Sequence, residues 1–569
     1  MDERAADVAP DRARIPNAPQ PQDPSPSDDD TQSIEGSVKD TVESILVAFI
    51  LAFIFRAFVV EAFVIPTGSM APTLLGAHMR FRCPDCGYRF DVNFQGTERG
   101  GDDIEIPTIA MGKSYTVFCP NCGFRLPQVA RGNAEDPDSA ASDPAVHYGD
   151  RILVLKYLYL FQDPKRWDVV VFKSPYNPGN YDYTQNYIKR LIGKPGESIM
   201  VLDGDIYVAP GQSNDPSAFV VQTKPRHVQD ALWRIVYDND YHPRGLPRAD
   251  SRGDAEAAFV QPWMQQAGQS GWRIGDGSPG HRDFTFDNPA GSSVLAFDPD
   301  ANAHSYAMTD WLAYDATEPR GSRDSYDPDN NVSDVKLSFS YQRRDGSGPL
   351  TVELKKLNHT FQTRLEPDRV SLLMDGQPLG EPVALPKHGG PIQVEVMNVD
   401  YRVSVWIDGK EVLATTPEQY HPDVKKLLEA FNSNIRSPKA EVRIIGEAQS
   451  ATLSHVSLWR DVYYLNNRGE RQTVRRPLWA SPAQFPENLM RLGKDEYFVM
   501  GDNSLVSLDA RFWDEPIELP NEGLSVQSGR VPQRFMLGKA FFVYWPAGYR
   551  PMDAAPALVP NVGDMRFIH

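Results

Sequence analysis

The chain is short of cysteine, of positive charge and of long apolar runs, and each shortage closes off a class of protein. Only four cysteines occur in 569 residues. All four stand in two C-x-x-C pairs, which leaves none for a disulfide framework. Lys and Arg number 58 against 76 Asp and Glu, a net charge of -18, and a surface of that sign repels nucleic acid, which selects clustered basic side chains. Nucleic acid is therefore not an expected partner. The first residues lack the basic stretch of a secretory signal peptide and no cleavage pattern follows, so the one apolar run is expected to remain in the mature protein. Room for long helices is scarce too. With 48 prolines, 41 glycines and 11% aromatics, the composition favours many short strands and turns, a mainly β chain of two to four domains.

Residues 1–36 are rich in Asp, Pro, Ser and Gln and carry few large apolar side chains, too few to offset the entropy of ordering them. They read as a disordered acidic tail. From 37 to 63 the chain turns apolar on every face, S-I-L-V-A-F-I-L-A-F-I-F at its centre, with Arg56 and Glu61 near the far end. That predicts a transmembrane or membrane-embedded helix. A buried core helix is the alternative, since the uninterrupted run from Ser44 to Phe55 is shorter than the roughly 20 residues of a full span. The basic residues of the flank, Arg4, Arg12, Arg14 and Lys39, lie among many acids and give the positive-inside rule little purchase.

The run is followed by V-I-P-T-G-S-M-A-P-T-L-L, residues 64–75. Pro66 and Pro72 forbid a helix there and Gly68 frees the backbone, so Ser69 sits on an irregular, open turn. It is a candidate nucleophile beside a membrane. Two matching knuckles come next, Cys83-Pro-Asp-Cys86-Gly and Cys119-Pro-Asn-Cys122-Gly. Four thiolates at that spacing make a closed tetrahedral zinc site, structural because no position is left for water. Paired redox disulfides are the weaker alternative. Residues 130–145, small and acidic, read as a linker.

Three strands are then expected, at 147–156, 166–172 and 182–196, the last ending in a Gly/Pro turn. Lys189 lies on the opposite pleat from Ile188 and Arg190, so one of the two basic residues should face inward. A buried lysine is costly unless neutral, which makes Lys189 a candidate base. Neither His147 nor His455 is marked as a partner for Ser69, so a Ser-His-Asp arrangement is not favoured.

Four segments in order, I-P-T-G-S-M-A-P-T-L, G-D-R-I-L-V, Y-I-K-R-L-I-G-K-P-G-E and Y-F-V-M-G-D-N-S-L-V-S-L-D-A-R-F-W (residues 497–513), resemble the boxes of the type I (leader) signal peptidases. The resemblance implies a membrane endopeptidase on a β-sheet fold that removes signal peptides from exported preproteins, with no metal in the chemistry. It implies Ser69 as nucleophile and Lys189 as general base, with Thr67 and the Ser69 N–H as oxyanion hole. Ser507 would orient the lysine, Asp509 and Arg511 would form a supporting ion pair, and Met70 and Pro72 would shape the site. The departure is Ser504-Leu505-Val506, where the family more often has an Arg-Asp-Asn run. The same resemblance implies a bacterial-type plasma (inner) membrane, with the N-terminal tail in the cytoplasm, the catalytic body outside, and membrane lipid as a contact.

That body is expected from 64–80, 147–211 and 467–569, interrupted by the zinc-ribbon-like insertion and linker at 81–146 and by a larger insertion at 212–466. Val201 to Val208 turns at Asp203-Gly204. Within the larger insertion strands are expected at 335–342, 350–357, 370–374, 392–399, 401–407, 442–445 and 453–465, with hairpin turns at Asp375-Gly376 and Asp408-Gly409. The runs around Trp406 and Trp459 resemble a concanavalin/laminin-G jelly roll, whose members bind glycans or proteins, although core packing suits both tryptophans better. A closing strand is expected from Phe535 to Trp545. Two other readings stand beside the peptidase: an inactive, membrane-tethered binding or adhesion protein on the same scaffold, and a self-cleaving Ser/Lys protease.

Overall fold

The computed structural model describes residues 28–54, 56, 59–94, 97–98, 104–105, 117–126, 146–175, 185–249, 255–277, 281–302, 306–315, 330–386, 390–465, 478–519, 524–546 and 561–569. Most of the expected tail and the whole of the expected linker lie outside them. The chain forms two units, Met1–Val59 and Val60–His569. In the first, helix α1 runs Asp28–Ile54, and from Val42 to Ile54 its large apolar side chains are all exposed.

The helix expected over 37–63 is corrected at both ends. It starts at Asp28, inside what reads as tail, and stops at Ile54. Residues Val60–Val64 form a strand, antiparallel to Arg151–Leu155 in the register Val60↔Leu155 to Val64↔Arg151. Among the described residues no helix is long and apolar enough to cross a membrane. The physical reason is that a uniformly apolar run has neither a 3.6 nor a 2 period to mark where helix gives way to strand. Val60 and Val64, the ends of the strand, are β-branched and suit a pleated surface. Glu61 ion-pairs with Lys156 at 3.2 Å across that strand pair, not with a helical neighbour.

The second unit is mainly β. After β1 (Val60–Val64) come β2 (His78–Arg82), β3 (Arg89–Asn93), β4 (Arg151–Leu155), β5 (Val169–Lys173), β6 (Asn186–Gly193), β7 (Glu197–Leu202) and β8 (Asp205–Pro210). Strands β9 (Arg234–Asp238), β10 (Phe284–Phe297), β11 (Val335–Gly346), β12 (Leu350–Lys356), β13 (Ile392–Val399), β14 (Arg402–Ile407) and β15 (Glu441–Arg460) follow. The chain returns through β16 (Glu496–Met500) and β17 (Met536–Trp545). The sheet that positions the site has the order β1-β4-β17-β5-β6-β16, with Val531–Pro532 at its edge. The expected closing strand thus lies in the middle of this sheet.

Both faces of the sheet are covered. Along β5, Val169 and Val171 enter one apolar cluster with Met70 and Ile152, while Val170 and Phe172 enter another with Leu191 and Trp513. The alternation has a consequence for β6, where one basic residue is expected inside. Lys189 is 5% exposed and Arg190 0%, so both are buried, on opposite faces.

Residues 212–466 contribute most of a second, larger sheet built on β15. Strands β9, β10, β11 and β12 all pair with it, and β13 and β14 extend the sheet beyond β11. Its apolar core gathers side chains from Val236 to Leu458. The two short strands expected at 442–445 and 453–465 are one 20-residue strand, bent where Ala448 and His455 take positive φ. The β10 strand is absent from the sequence reading because Asn288-Pro-Ala-Gly interrupts its pattern, and its pairing with β15 shifts register there. The hairpin turns hold: Asp203, Asp375 and Asp408 have φ of 50°, 51° and 47°, each followed by a glycine with positive φ.

Where β8 meets this sheet, two lysines are sealed among aspartates. Lys224 bonds to Asp400 and lies 2.8 Å from Asp461. Lys356 bonds to Asp334 and lies 3.7 Å from Asp205. Their charged ends are at most a few per cent exposed.

Candidate active site

The turn at Gly68–Met70 is a single 3-10 turn, entered from Thr67 in extended conformation and left at Pro72. Gly68 is required for a reason other than backbone freedom. A Cβ there would lie 2.6 Å from Cε1 of Tyr314, so the ring of a residue 246 positions away fixes its identity. Gly501 is constrained in the same way, because a Cβ would meet Ser507 Oγ at 2.2 Å and the Ser69 carbonyl at 2.4 Å.

The half-buried Ser69 and the buried Lys189 meet. Lys189 Nζ lies 2.8 Å from Ser69 Oγ and donates to the Ile188 carbonyl at 3.0 Å. Burial lowers the amine from 10.5 to about 8, against the pull of Asp509 and Asp502 and with help from Arg511. The two acids are tied elsewhere. Arg190 grips Asp502 with two bonds of 2.6 and 2.7 Å, and Arg511 grips Asp509 with two of 2.8 and 2.9 Å. All four of these side chains are buried. An amine this close to neutral pH, aimed at a hydroxyl, can take up its proton.

Of the other expected site residues, Met70 is buried against the sheet. Thr67 is exposed and its hydroxyl does not cap the turn. Ser507 is buried beside Gly501, but its Oγ has no hydrogen-bond partner among the described residues, so the structure does not bring it onto Lys189. Asp509 and Arg511 pair as expected. The departing Ser504 is fully engaged: its Oγ takes bonds of 2.8 Å from Arg511 Nη1 and from the Leu465 N–H. His455 bonds Asp240 at 2.8 Å and His147 stacks on His78, and neither partners Ser69.

Sequence reasoning misses the Arg190–Asp502 pair and Asn503. The signal lies in G-D-N itself, where an acid and an amide precede Ser504. Asn503 donates its backbone N–H to the Ser69 carbonyl at 3.1 Å and its side-chain amide to the Gly68 carbonyl at 3.2 Å.

The four cysteines converge. Cys83 and Cys122 sulfurs are 3.7 Å apart, Cys86 and Cys119 sulfurs 3.6 Å, and all four lie within 4.8 Å of one another. Those separations are close to the edges of a tetrahedron with metal–sulfur bonds of about 2.3 Å. The knuckles are congruent: Gly87 and Gly123 N–H groups donate back to the Cys83 and Cys119 carbonyls.

The sequence profile described as signal peptidase, peptidase S26, matches residues 38–92, 135–244 and 398–545, more than half of the chain. The chain belongs to the signal peptidase family, peptidase S26. Within that family it is similar to "Probable signal peptidase I-2" of Synechocystis sp., 29% identical over 136 residues, 22% of this chain and 60% of the relative. It is also similar to "Signal peptidase I" of Pseudomonas aeruginosa, 30% identical over 129 residues, 22% of this chain and 39% of the relative. The chain therefore spans less than two thirds of either relative's length. Residues 93–134 and 245–397 fall outside the family match. A carbohydrate-binding module from Bacillus subtilis is similar over 35% of this chain and 94% of its own, at 10% identity and a TM-score of 0.21.

Proposed function

We propose that this peptidase removes signal peptides from preproteins by a Ser/Lys mechanism. The observation that carries the reading is the 2.8 Å approach of the buried Lys189 Nζ to Ser69 Oγ. Neutral Lys189 takes the Ser69 proton as the hydroxyl attacks the scissile carbonyl, and then gives it to the leaving amine. Water, deprotonated by the same amine, hydrolyses the acyl-enzyme. Thr67 and the Ser69 N–H are assigned to the oxyanion, Ser507 to the lysine's surroundings, and Asp509 with Arg511 to the support of the loop beneath.

The four cysteines fit a structural zinc, which would add to the folding energy that the apolar cluster of Met79, Phe81, Phe90 and Val92 gives the segment around β2 and β3 and take no part in catalysis. Membrane attachment is assigned to α1, whose apolar side chains from Val42 to Ile54 are exposed on every side.

The test is cleavage of a preprotein by the detergent-solubilised chain. Wild type should yield mature product, and Ser69→Ala and Lys189→Ala should each lower the rate by on the order of 10³-fold or more. Unchanged cleavage by either variant rejects the assignment.

A further inference from the structure

We propose that Asp315 is a positioning residue for Ser69, contributed by a part of the chain that the family match leaves out. The turn Ala313–Asp315 reaches the nucleophile loop. There the Tyr314 ring lies against Gly68 and clusters with Ala71 and Leu75. Beside it Asp315 Oδ1 accepts a 2.7 Å bond from the Asn503 side-chain amide. The same Asn503 nitrogen donates to the Gly68 carbonyl, and the Asn503 N–H donates to the Ser69 carbonyl. The peptide units on both sides of the nucleophile are therefore held by one residue, and Asp315 sets the orientation of its amide.

The polar atoms at the centre of the cluster are buried and under-satisfied. Asp315 Oδ2 and Asn503 Oδ1 are both buried without a hydrogen-bond partner among the described residues. The 2.7 Å bond is thus what fixes the amide's orientation relative to the Gly68 carbonyl, and a buried amide that loses its acceptor can turn. The charged group facing Asp315 from a neighbouring element is Arg234 on β9, which donates to the Ala71 carbonyl at 3.4 Å. Tyr314 adjoins Asp315 on its own element. Burial, opposed by the Asn503 bond and Arg234, raises this carboxyl to about 7. Ionised, it gives Asn503 a charge-assisted acceptor; protonated, it does not.

The inference rests on the proposed Ser/Lys reading, and its test separates the two. For wild type, log kcat/KM against pH should have a slope of about one below pH 8, from Lys189, with a further fall of roughly tenfold just below pH 7, from protonation of Asp315, that steepens the profile over about one pH unit. Asp315→Asn should keep a slope of about one throughout. Asp315→Ala should lower kcat roughly tenfold with KM within twofold. A wild-type steepening that persists in Asp315→Asn overturns the proposal. Hydrogen exchange on residues 66–75 gives a readout that needs no cleavage: exchange should quicken in Asp315→Ala, and unchanged exchange overturns the proposal. Should Ser69→Ala still cleave, the catalytic reading fails while the exchange result still decides the Asp315 link.

Discussion

Lys189 beside Ser69, and Lys224 and Lys356 where β8 meets the larger sheet, are all shut off from water, yet their protons are held in opposite ways. Burial drives the Lys189 amine down to about 8. Lys224 and Lys356 feel the same burial, but contact with Asp400, Asp461, Asp334 and Asp205 raises both well above 10.5. The difference lies in what the acids are doing. At the site Asp502 and Asp509 are claimed by Arg190 and Arg511, whose planar forks take both oxygens and never release their charge. At the junction the ion pairs of Asp400, Asp461, Asp334 and Asp205 among the described residues are with the two lysines. Two ammonium groups there face four carboxyls, and burial with the neighbouring acids pushes Asp205 well up. One arrangement suits an amine that must lose its proton, the other a fixed strut.

The largest effect that would break this comparison is at the junction. Lys224→Met leaves Asp400 and Asp461 without their shared partner and should lower stability by roughly 3–5 kcal/mol, read as a fall in the urea midpoint. Lys189→Met should do the reverse. The Lys189 pKa is lower folded than unfolded, so from about 8 to 10.5 the unfolded chain binds a proton that the native chain does not, and stability rises with pH across that window. Below pH 8 the full penalty applies, on the order of 3 kcal/mol. The variant should therefore be more stable than wild type at pH 7, with the gain fading by pH 10.5. Lys224 has a raised folded value. Its contribution is complete below about 10.5 and is lost only above that, so no change from it is expected in the same window. A smaller effect sharpens the arginine half of the comparison. Ser504→Ala removes one of the two acceptors of Arg511 Nη1, leaving the Leu465 carbonyl at 3.0 Å, and takes the acceptor from the Leu465 N–H; it should cost about 1–2 kcal/mol in denaturation, with kcat reduced only a few-fold.

The sequence and the structure part company where covering layers decide. The cysteine knuckles and the Asp-Gly hairpins were legible because each is a local pattern with a local physical meaning, whereas Ser69 and Lys189 stood out only through the order of the four boxes they belong to. The end of α1 was not legible, since an apolar run suits both a helix and the strand Val60–Val64. Nor was the burial of Arg190 beside Lys189. Alternation along a strand predicts one inward face, and only a sheet covered on both sides buries the two. Asp315 and Tyr314 lie some 245 positions from the turn they touch, in a segment with no motif of its own, so nothing local pointed to them. Ser504, a departure on paper, proved to be bonded to Arg511.

The account turns on the protonation of one amine. Following the Lys189 side-chain resonance by NMR as pH is raised in the wild-type protein tests it most directly. A midpoint near 8 is the predicted result, and a midpoint at about 10 or above, the ordinary lysine range, would contradict it.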